Sequence, residues 1–359
     1  MNRSCKVTLK HITAKKQRQV TVLLQSYRSA VNFYIKYFWR TNGKRSAESL
    51  ATLQDSRLSE RYKQAALKQA FGIVISTKKS AKALSKPCSI PVFHGKAILD
   101  QRHVIIEDGH GSFDLVLKLS ALHKGHRITI PTKHTKMTRK WLSKPNAKFI
   151  QGCALSETGI ILWVNIPEQL LKQEGKILGV DIGVNKLISD SDGNHYGRDF
   201  KAIRDKIRRK KPCSKAKYRA LKERENYICR VVNQLPWQQI KVIGMEDLTG
   251  IKTGKQKNRG KNFRKAMAPW IVRRVAGRIE QKAQENRVRP AKNDPADTSR
   301  TCPPCGKVSR ENRKGEKFQC IACGYKGDAD YIGALNILAK TLATLGSLQS
   351  PRLRQKKVA

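Results

Sequence analysis

The chain is short of acidic side chains and has no long apolar segment. Its 359 residues include 27 Asp and Glu against 74 Lys and Arg, which gives a formal net charge of +47. No stretch approaches the roughly 20 apolar residues of a transmembrane helix and no lipidation motif is present, so we expect no membrane attachment. So large an excess of positive charge would repel itself unless a polyanion neutralised it, and a long nucleic acid would supply that neutralisation.

Acidic residues are absent from three long stretches that lie far apart, residues 1–47, 115–156 and 251–279. A single basic run is usually a solvated face of the protein. Three runs in different parts of the chain favour a basic channel lined by several domains over one basic arm. The length also exceeds that of a usual single core, so we expect two or three domains.

Four of the nine cysteines form two CxxC pairs, Cys302 with Cys305 and Cys320 with Cys323. Two such turns can surround one tetrahedral Zn²⁺, because each turn aims both sulfurs the same way. The alternative is two disulfides or four thiols that bind nothing. The odd cysteine count and the lack of a signal peptide favour a reducing cytosol, where disulfides are rare. We therefore predict one structural Zn²⁺, with all four of its positions filled by protein, and look for the chemistry elsewhere.

The first part of the chain has the pattern of a strand followed by helices. Alternating apolar side chains predict a strand at residues 5–9, and apolar stripes at helical spacing predict helices at residues 14–40 and 58–84. Thr13 is the expected N-cap of the first helix. We interpret residues 12–85 as an α-helical lobe.

The hydrophobic period changes to two after about residue 87. This pattern predicts hairpins at residues 104–119 and 148–166, with a short strand at residues 127–130 between them. Strands of this kind indicate a small β-barrel, which we assign to residues 1–11 and 86–170. The helical lobe is then an insertion after the first strand of the barrel.

Residues 176–345 form a third predicted domain, of α/β class, with three acids in ordered surroundings. Asp181 interrupts a continuous apolar strand, Glu246 ends a second apolar strand, and Asp330 precedes a helical run. A carboxylate inside a buried strand is costly unless a metal or another partner compensates it. Each acid also has a simpler interpretation: Asp330 as a helix cap, Glu246 as a solvated strand end, and Asp181 as a satisfied buried acid.

Strand-centre, strand-end and helix-start acids are what an RNase H-like sheet brings together at one edge to hold two Mg²⁺ ions. In such a site one metal activates water and the other stabilises the leaving oxygen, which gives in-line phosphodiester hydrolysis. The strongly basic composition and the predicted zinc site favour this interpretation over three unrelated acids.

Four segments in this half of the chain resemble the motifs of one family. They are residues 179–185 (GVDIGVN), 244–248 (GMEDL), 298–306 (TSRTCPPCG) and 329–337 (ADYIGALNI). In this order they resemble the three RuvC motifs and the zinc-knuckle motif of the TnpB proteins, transposon-encoded RNA-guided nucleases. Compact type V CRISPR effectors share these motifs.

The resemblance implies that Asp181, Glu246 and Asp330 are the catalytic, Mg²⁺-binding triad, with Asp328 as the alternative to Asp330. It implies zinc binding by the four cysteines of a knuckle inserted at residues 298–327 of a RuvC-like nuclease domain. It also implies that the preceding barrel is a wedge domain and the helical lobe a recognition lobe. The expected partners are a guide RNA and a double-stranded target DNA, and the expected location is the cytoplasm of a prokaryote, at the nucleoid.

A basic run contributes further candidates for nucleic-acid contacts. Arg208, Arg209, Lys210 and Lys211 are expected to bind phosphates of a nucleic-acid backbone. Residues 346–359 have the composition of a basic, disordered tail.

The leading hypothesis is an RNA-guided DNA endonuclease that cuts next to a short adjacent motif. The alternatives are a compact type V CRISPR effector, an RNA-guided DNA-binding repressor without cleavage, and a guide-independent resolvase or transposase. Three intact acids argue against the repressor, because a pure binder gains nothing from carboxylates that repel the phosphate backbone.

Overall fold

The computed structural model describes residues 1–42, 45–54, 57–84, 87–123, 125–183, 186–211, 214–247 and 269–349. The chain divides into two compact units, residues 1–168 and 169–359. Residues 251–268, which make up most of the acid-free stretch 251–279, and the last ten residues of the predicted tail therefore lie outside the described part of the chain.

The helices of the first unit are α1 (Ala14–Thr41), α2 (Ala47–Ala51), α3 (Glu60–Leu84) and α4 (Lys136–Leu142). The two long helices, α1 and α3, confirm the helices that were predicted from the apolar stripes. The Thr13 side chain accepts a hydrogen bond from Lys16 N at 3.4 Å and caps α1, as expected. Asn42, in the left-handed region at φ 50°, ends α1.

The strands of the first unit form two antiparallel sheets. The first sheet has the order β1 (Asn2–Thr8), β7 (Gly159–Asn165), β6 (Lys148–Ser156) and β2 (Ala97–Asp100). The second contains β3 (Val104–Asp108), β4 (Leu115–Ser120) and β5 (Arg127–Thr132). Both predicted hairpins are confirmed, and β2 and the short helix α4 are additions that periodicity did not predict.

The two long helices and both sheets of the first unit share one apolar core, which includes Tyr27, Tyr62, Leu117 and Leu162. The short helix α4 packs through Trp141 into a smaller cluster with Cys5 and Val164. The buried face of α1 packs against α3 because its apolar residues recur every three or four positions. The separation into a wedge barrel and a recognition lobe stays a prediction, since these segments lie in one compact unit.

A mixed sheet of five strands forms the centre of the second unit. Its order is β10 (His195–Tyr196), β9 (Ile188–Asp190), β8 (Lys176–Asp181), β11 (Ile240–Glu246) and β12 (Arg289–Asn293). The strands β8, β11 and β12 are parallel, whereas β9 and β10 continue the sheet from β8 as antiparallel neighbours. The described helices of this unit are α5 (Phe200–Arg208), α6 (Lys215–Asn233), α7 (Pro269–Glu285) and α8 (Ala329–Gln349).

Two glycines allow α8 to lie directly on the central strands. A Cβ atom at Gly179 in β8 would come within 2.4 Å of Ala334 O and 2.6 Å of Leu338 N. A Cβ atom at Gly244, the partner of Gly179 on β11, would come within 2.0 Å of Thr341 Oγ1. The backbone of α8 therefore approaches the sheet more closely than any side chain at these two positions would permit.

The C-terminal end of α8 corrects one sequence boundary. The helix continues to Gln349, so the tail predicted to begin at residue 346 starts inside a helix. The buried face of the helix continues through Thr341, which anchors this end on the sheet. Residues 350–359 lie outside the described part of the chain.

A small antiparallel sheet separates β12 from α8 in the chain. It consists of β13 (Arg313–Lys314), β14 (Lys317–Gln319) and β15 (Lys326–Asp328). The last of these strands leads into α8 at Ala329 with no residue between them. This is the segment predicted to be a zinc knuckle.

Candidate functional site

Two parallel strands and one helix bring the predicted acids together. Asp181 is the last residue of β8 and Glu246 is the last residue of β11, so both lie at the carboxyl edge of the sheet. Asp330 is in the first turn of α8. A Cβ atom at Gly333, one turn further along α8, would lie 2.9 Å from Asp181 Oδ2. Glycine at this position thus leaves room for the Asp181 carboxylate against the helix.

The three carboxylates repel one another in a poorly solvated place. Burial, together with the neighbouring charges of Glu246 and Asp330, raises the pKa of Asp181 to about 8. Burial also raises the pKa of Glu246 above its ordinary value, although the hydrogen bond from Thr298 opposes the shift. Such an arrangement is unfavourable in isolation, and a cation bound between the carboxylates would stabilise it.

Two side chains that the sequence did not predict contact the acids. Thr298 Oγ1 donates a hydrogen bond to Glu246 Oε1 at 2.6 Å, and Arg313 Nη2 donates one to Asp330 Oδ1 at 3.0 Å. Both residues belong to the segment between β12 and α8. Thr298 opens one of the recognised motifs, but no spacing signal distinguishes Arg313 among the many basic residues nearby.

Asparagines fix the helix and the segment before the knuckle relative to the acids. Asn336 of α8 donates hydrogen bonds to Thr298 O at 2.7 Å and Thr301 O at 2.8 Å, and Asn293 of β12 donates one to Thr341 Oγ1 at 2.8 Å. Asn336 and Asn293 are buried. They satisfy backbone and hydroxyl oxygens that would otherwise be costly inside the protein.

Asp328, the alternative to Asp330, has different partners. Its Oδ1 accepts hydrogen bonds from Asp330 N and Tyr331 N, and its Oδ2 pairs with Lys186. Burial would raise the pKa of Asp328, but the hydrogen bonds from Lys186 and from the Tyr331 N–H hold it below its ordinary value. Asp330, and not Asp328, is among the charges that act on Asp181.

The carboxylates fit magnesium by their chemistry, because Mg²⁺ prefers oxygen ligands and favours acidic side chains. The ligand atoms of the four cysteines lie within 4.8 Å of one another, and in the described ranges no other set of three or more acidic, histidine or cysteine ligand atoms is as close. The oxygens of Asp181, Glu246 and Asp330 are therefore farther apart than the cysteine sulfurs. Arg313 and Thr298 each hold one oxygen of the acid cluster.

The cysteine quartet consists of Cys302, Cys305, Cys320 and Cys323. The Sγ atoms of Cys302 and Cys323 are 3.6 Å apart, and those of Cys305 and Cys320 are 3.5 Å apart. Zn–S bonds of about 2.3 Å at tetrahedral angles require sulfurs about 3.8 Å apart, so the quartet fits one Zn²⁺ closely. The backbone N–H groups of Cys323 and Ala322 lower the pKa of the Cys320 thiol to about 6, which favours the thiolate that zinc requires. The spacing suggests a zinc site, as predicted.

The predicted phosphate-binding residues lie between α5 and α6. Arg208 ends α5, Arg209 is its C-cap, and Lys210 and Lys211 follow in the connection. The Arg208 side chain is 69% exposed and has only a long contact of 3.9 Å with Asp205. Arg208, Arg209 and Lys211 are exposed and Lys210 is half-buried, and their role in nucleic-acid binding stays a prediction.

Comparisons with known proteins agree with this organisation. Residues 273–337 match the family model described as Cas12f1-like, TNB domain. The chain is 38% identical over 96 residues to the "CRISPR-associated endodeoxyribonuclease Cas12f1" of Sulfoacidibacillus thermotolerans, which covers 26% of this chain and 21% of that protein. It is 27% identical over 204 residues to the "TnpB-like protein MJ0751" of Methanocaldococcus jannaschii, which covers 49% of this chain and 72% of that protein.

The chain is related to the TnpB-like and Cas12f1 proteins. The Cas12f1-like TNB match contains the cysteine quartet, Arg313 and Asp330. The chain also shares its fold with a solved "Structure of the mini-RNA-guided endonuclease CRISPR-Cas_phi3", with a TM-score of 0.53 at 10% identity. That match covers 98% of this chain and 93% of the other. Among the helices described, none is long and apolar enough to cross a membrane.

Proposed function

We propose that the chain is an RNA-guided DNA endonuclease that hydrolyses a phosphodiester of its target next to a short adjacent motif. The observation that carries the proposal is that Asp181, Glu246 and Asp330 lie near one another at one edge of the mixed sheet. Three mutually repelling carboxylates in a chain with a net charge of +47 are suited to act on a polyanion through bound cations.

The three acids would hold two Mg²⁺ ions. Bound there, magnesium supplies an activated water and neutralises charge on the leaving oxygen. Thr298 orients Glu246 through its 2.6 Å hydrogen bond, and the guanidinium of Arg313 places a positive charge beside Asp330. A guanidinium at this position can bind a phosphate oxygen of the substrate in place of the carboxylate.

The guided character of the reaction rests on the relatives. The Cas12f1 match is named an endodeoxyribonuclease, and the other relative is named TnpB-like. Because the Cas12f1 match spans about a fifth of that protein, the activity, the guide RNA and the DNA target belong to this proposal. A compact type V CRISPR effector is the second candidate, favoured by the Cas12f1-like match at residues 273–337.

The first experiment identifies the RNA. The protein is purified from cells carrying its native flanking DNA, and the RNA that remains after a high-salt wash is sequenced. One abundant RNA with a constant scaffold and a terminal segment from neighbouring DNA supports the proposal. An RNA with a CRISPR repeat supports the second candidate, whereas heterogeneous RNA or none favours a guide-independent nuclease.

The second experiment tests the acids with that RNA bound. We expect Asp181→Ala to lower the cleavage rate of matched DNA by about 1,000-fold or more while DNA affinity stays within about threefold, because the change removes a metal ligand and no basic contact. Cleavage by the variant at the wild-type rate would refute the triad. Wild-type protein that binds matched DNA without cutting it would instead support a guided repressor.

The basic connection between α5 and α6 can be tested separately. Replacing Arg208, Arg209, Lys210 and Lys211 by Ala should lower the slope of log affinity against log salt by about 2 to 4, since each lost phosphate contact contributes about 0.9. Fluorescence anisotropy with labelled duplex at several salt concentrations measures the slope. An unchanged slope would remove these residues from the nucleic-acid interface.

A further inference from the structure

Asp328 occupies the junction between the last strand of the knuckle and the first turn of α8. Its Oδ1 accepts hydrogen bonds from the backbone N–H groups of Asp330 and Tyr331, each at 3.1 Å. The first N–H groups of a helix have no partners within the helix, and a carboxylate that accepts two of them also interacts favourably with the helix dipole. Asp328 therefore closes the N-terminus of the helix that carries Asp330.

The other oxygen of Asp328 connects this helix to the strand that carries Asp181. Oδ2 pairs with Lys186, in the connection between β8 and β9, and the two side chains are only 31% and 16% exposed. The same connection is closed by a hydrogen bond from Gly183 N to Leu187 O at 3.3 Å. The ion pair thus joins the first turn of α8 to the connection that follows Asp181.

A third element faces the same carboxylate. His195 of β10 has Nε2 3.9 Å from Asp328 Oδ1, and its Nδ1 lies 2.8 Å from the hydroxyl of Ser189, a buried residue of β9. Asp328 is consequently in contact with the β8–β9 connection, with β10 and with the backbone of α8. None of these contacts involves Glu246 or the cysteine quartet.

We infer that Asp328 is a positioning residue, which fixes Asp330 relative to Asp181 through the helix cap and the Lys186 ion pair. Asp330 lies in the first turn of its helix, where fraying is easiest. The cap holds the backbone N–H of Asp330 itself, so it acts directly on the residue whose position the site needs. The consequence for catalysis rests on the proposed function, but the positioning of Asp330 does not.

The test compares Asp328→Ala with Asp328→Asn, since the amide oxygen of Asn can still accept the two backbone hydrogen bonds but has no charge for Lys186. A matched control is Asp192→Ala. Asp192 Oδ2 also accepts a hydrogen bond from a lysine, Lys176 Nζ, at 2.5 Å. Lys176 is the first residue of β8, and the described contacts of Asp192 do not include α8.

Two readouts are measured on the full chain. The first is the affinity for Mn²⁺, by titration calorimetry, and the second is cleavage of matched DNA with kcat and KM determined separately. We expect Asp328→Ala to weaken Mn²⁺ binding and lower kcat by about 10- to 100-fold each, the range for residues that orient metal ligands. KM should stay within about twofold, and Asp192→Ala should match the wild type. Asp328→Asn keeps the cap but loses the ion pair, so it should retain only the part of each loss that Lys186→Met also shows, about threefold to tenfold.

Hydrogen exchange shows whether the effect is local. In Asp328→Ala the peptide covering residues 328–335 should exchange at least about tenfold faster, while the sheet keeps its protection. If Asp328→Ala does not fold, Lys186→Met keeps the cap and removes only the ion pair, and it should weaken Mn²⁺ binding by about threefold to tenfold.

The outcomes separate this inference from the proposed function. Mn²⁺ affinity within twofold of the wild type in both Asp328→Ala and Lys186→Met would overturn the positioning role, as would loss in Asp328→Ala without recovery in Asp328→Asn. A wild type that binds Mn²⁺ and shows the expected variant series, but cuts no DNA, would refute the proposed function and support the inference. A wild type that binds no Mn²⁺ would refute the proposed function, and unchanged hydrogen exchange at residues 328–335 in Asp328→Ala would overturn the positioning role.

Discussion

The cysteine quartet and the acid cluster are two groups of ligand residues in one unit, and they are assembled in different ways. The quartet comes from residues 302–323, and its ligand atoms converge within 4.8 Å. The acids come from positions as distant as Asp181 and Asp330, and in the described ranges their oxygens do not come as close together as the cysteine sulfurs. Burial of Asp181 and the charges of Glu246 and Asp330 raise the pKa of Asp181 to about 8. Local turns therefore suffice to build the quartet, whereas the acid cluster depends on tertiary packing.

The largest expected effect is the loss of the quartet. Cys302→Ser should reduce bound zinc from about one per chain to less than about a tenth, because a closed structural site depends on all four thiolates and supplies folding free energy of about 10 kcal/mol or more in zinc-finger peptides. Metal analysis after dialysis measures the content. Cys88→Ser is the control, since Cys88 is exposed and lies outside the quartet. Full retention of zinc by Cys302→Ser would show that the quartet is not the zinc site.

A glycine substitution should disrupt the acid cluster without removing zinc. In Gly179→Ala the new Cβ would meet backbone atoms of α8 at 2.4 and 2.6 Å, so the helix has to move away from β8. We expect a loss of about 3 kcal/mol in the free energy of unfolding, as for overpacking against atoms that cannot rotate away. Chemical denaturation measures this loss, and zinc content should be unchanged.

Gly277 provides the matched control for this change. It lies within α7, and a Cβ atom there would have no neighbour within 4 Å. Gly277→Ala should therefore stabilise the protein by about 0.5 to 1 kcal/mol through helix propensity alone. Equal effects of the two substitutions would show that α8 does not depend on close contact at Gly179.

The smallest expected effect concerns repulsion among the acids. In metal-free protein Asp181→Asn should raise the free energy of unfolding by about 1 kcal/mol, because it keeps the shape of the side chain and removes its charge. The pKa of Asp181 is raised to about 8, above the value of about 3.9 in an unfolded chain, so wild-type stability is lost as pH rises between these values. The advantage of the variant should grow over the same range.

Magnesium reverses this comparison. Excess Mg²⁺ should stabilise the wild type through binding to the folded state and leave Asp181→Asn nearly unchanged, so the difference between them shrinks or changes sign. Calorimetry with EDTA and with Mg²⁺ measures both states. A variant less stable than the wild type in EDTA would contradict the idea that the carboxylates repel one another.

The sequence predicted the parts of this structure that depend on local patterns. Apolar periodicity placed α1, α3 and both hairpins within a few residues, and the CxxC spacing predicted the quartet. The three acids were predicted from their positions at strand ends and at a helix start, and the structure places them at one edge, while their catalytic role stays a prediction.

Other contacts could not be predicted because they are made by residues distant in the chain. Nothing in the sequence pairs Thr298 with Glu246 or Arg313 with Asp330, since the two contacts join residues that are 52 and 17 positions apart. The choice between Asp328 and Asp330 needed the family resemblance, because both precede the same helix. The need for glycine at positions 179 and 244 also follows only from the close contact of α8 with these two strands, which the sequence does not reveal.

The direct passage from β15 into α8 limits how this protein can be altered by insertion or fusion. Because no residue separates Asp328 from Ala329, the strand sets the angle at which the helix begins. One residue inserted there would rotate Asp330 by about 100° around the helix axis and advance it by about 1.5 Å. An added residue at this point thus changes the direction of the Asp330 side chain, while the same addition in the exposed turn between Cys320 and Cys323 would change the zinc site instead. For anyone inserting a tag or a sensor, the length of this junction is as constrained as the identity of the acid itself.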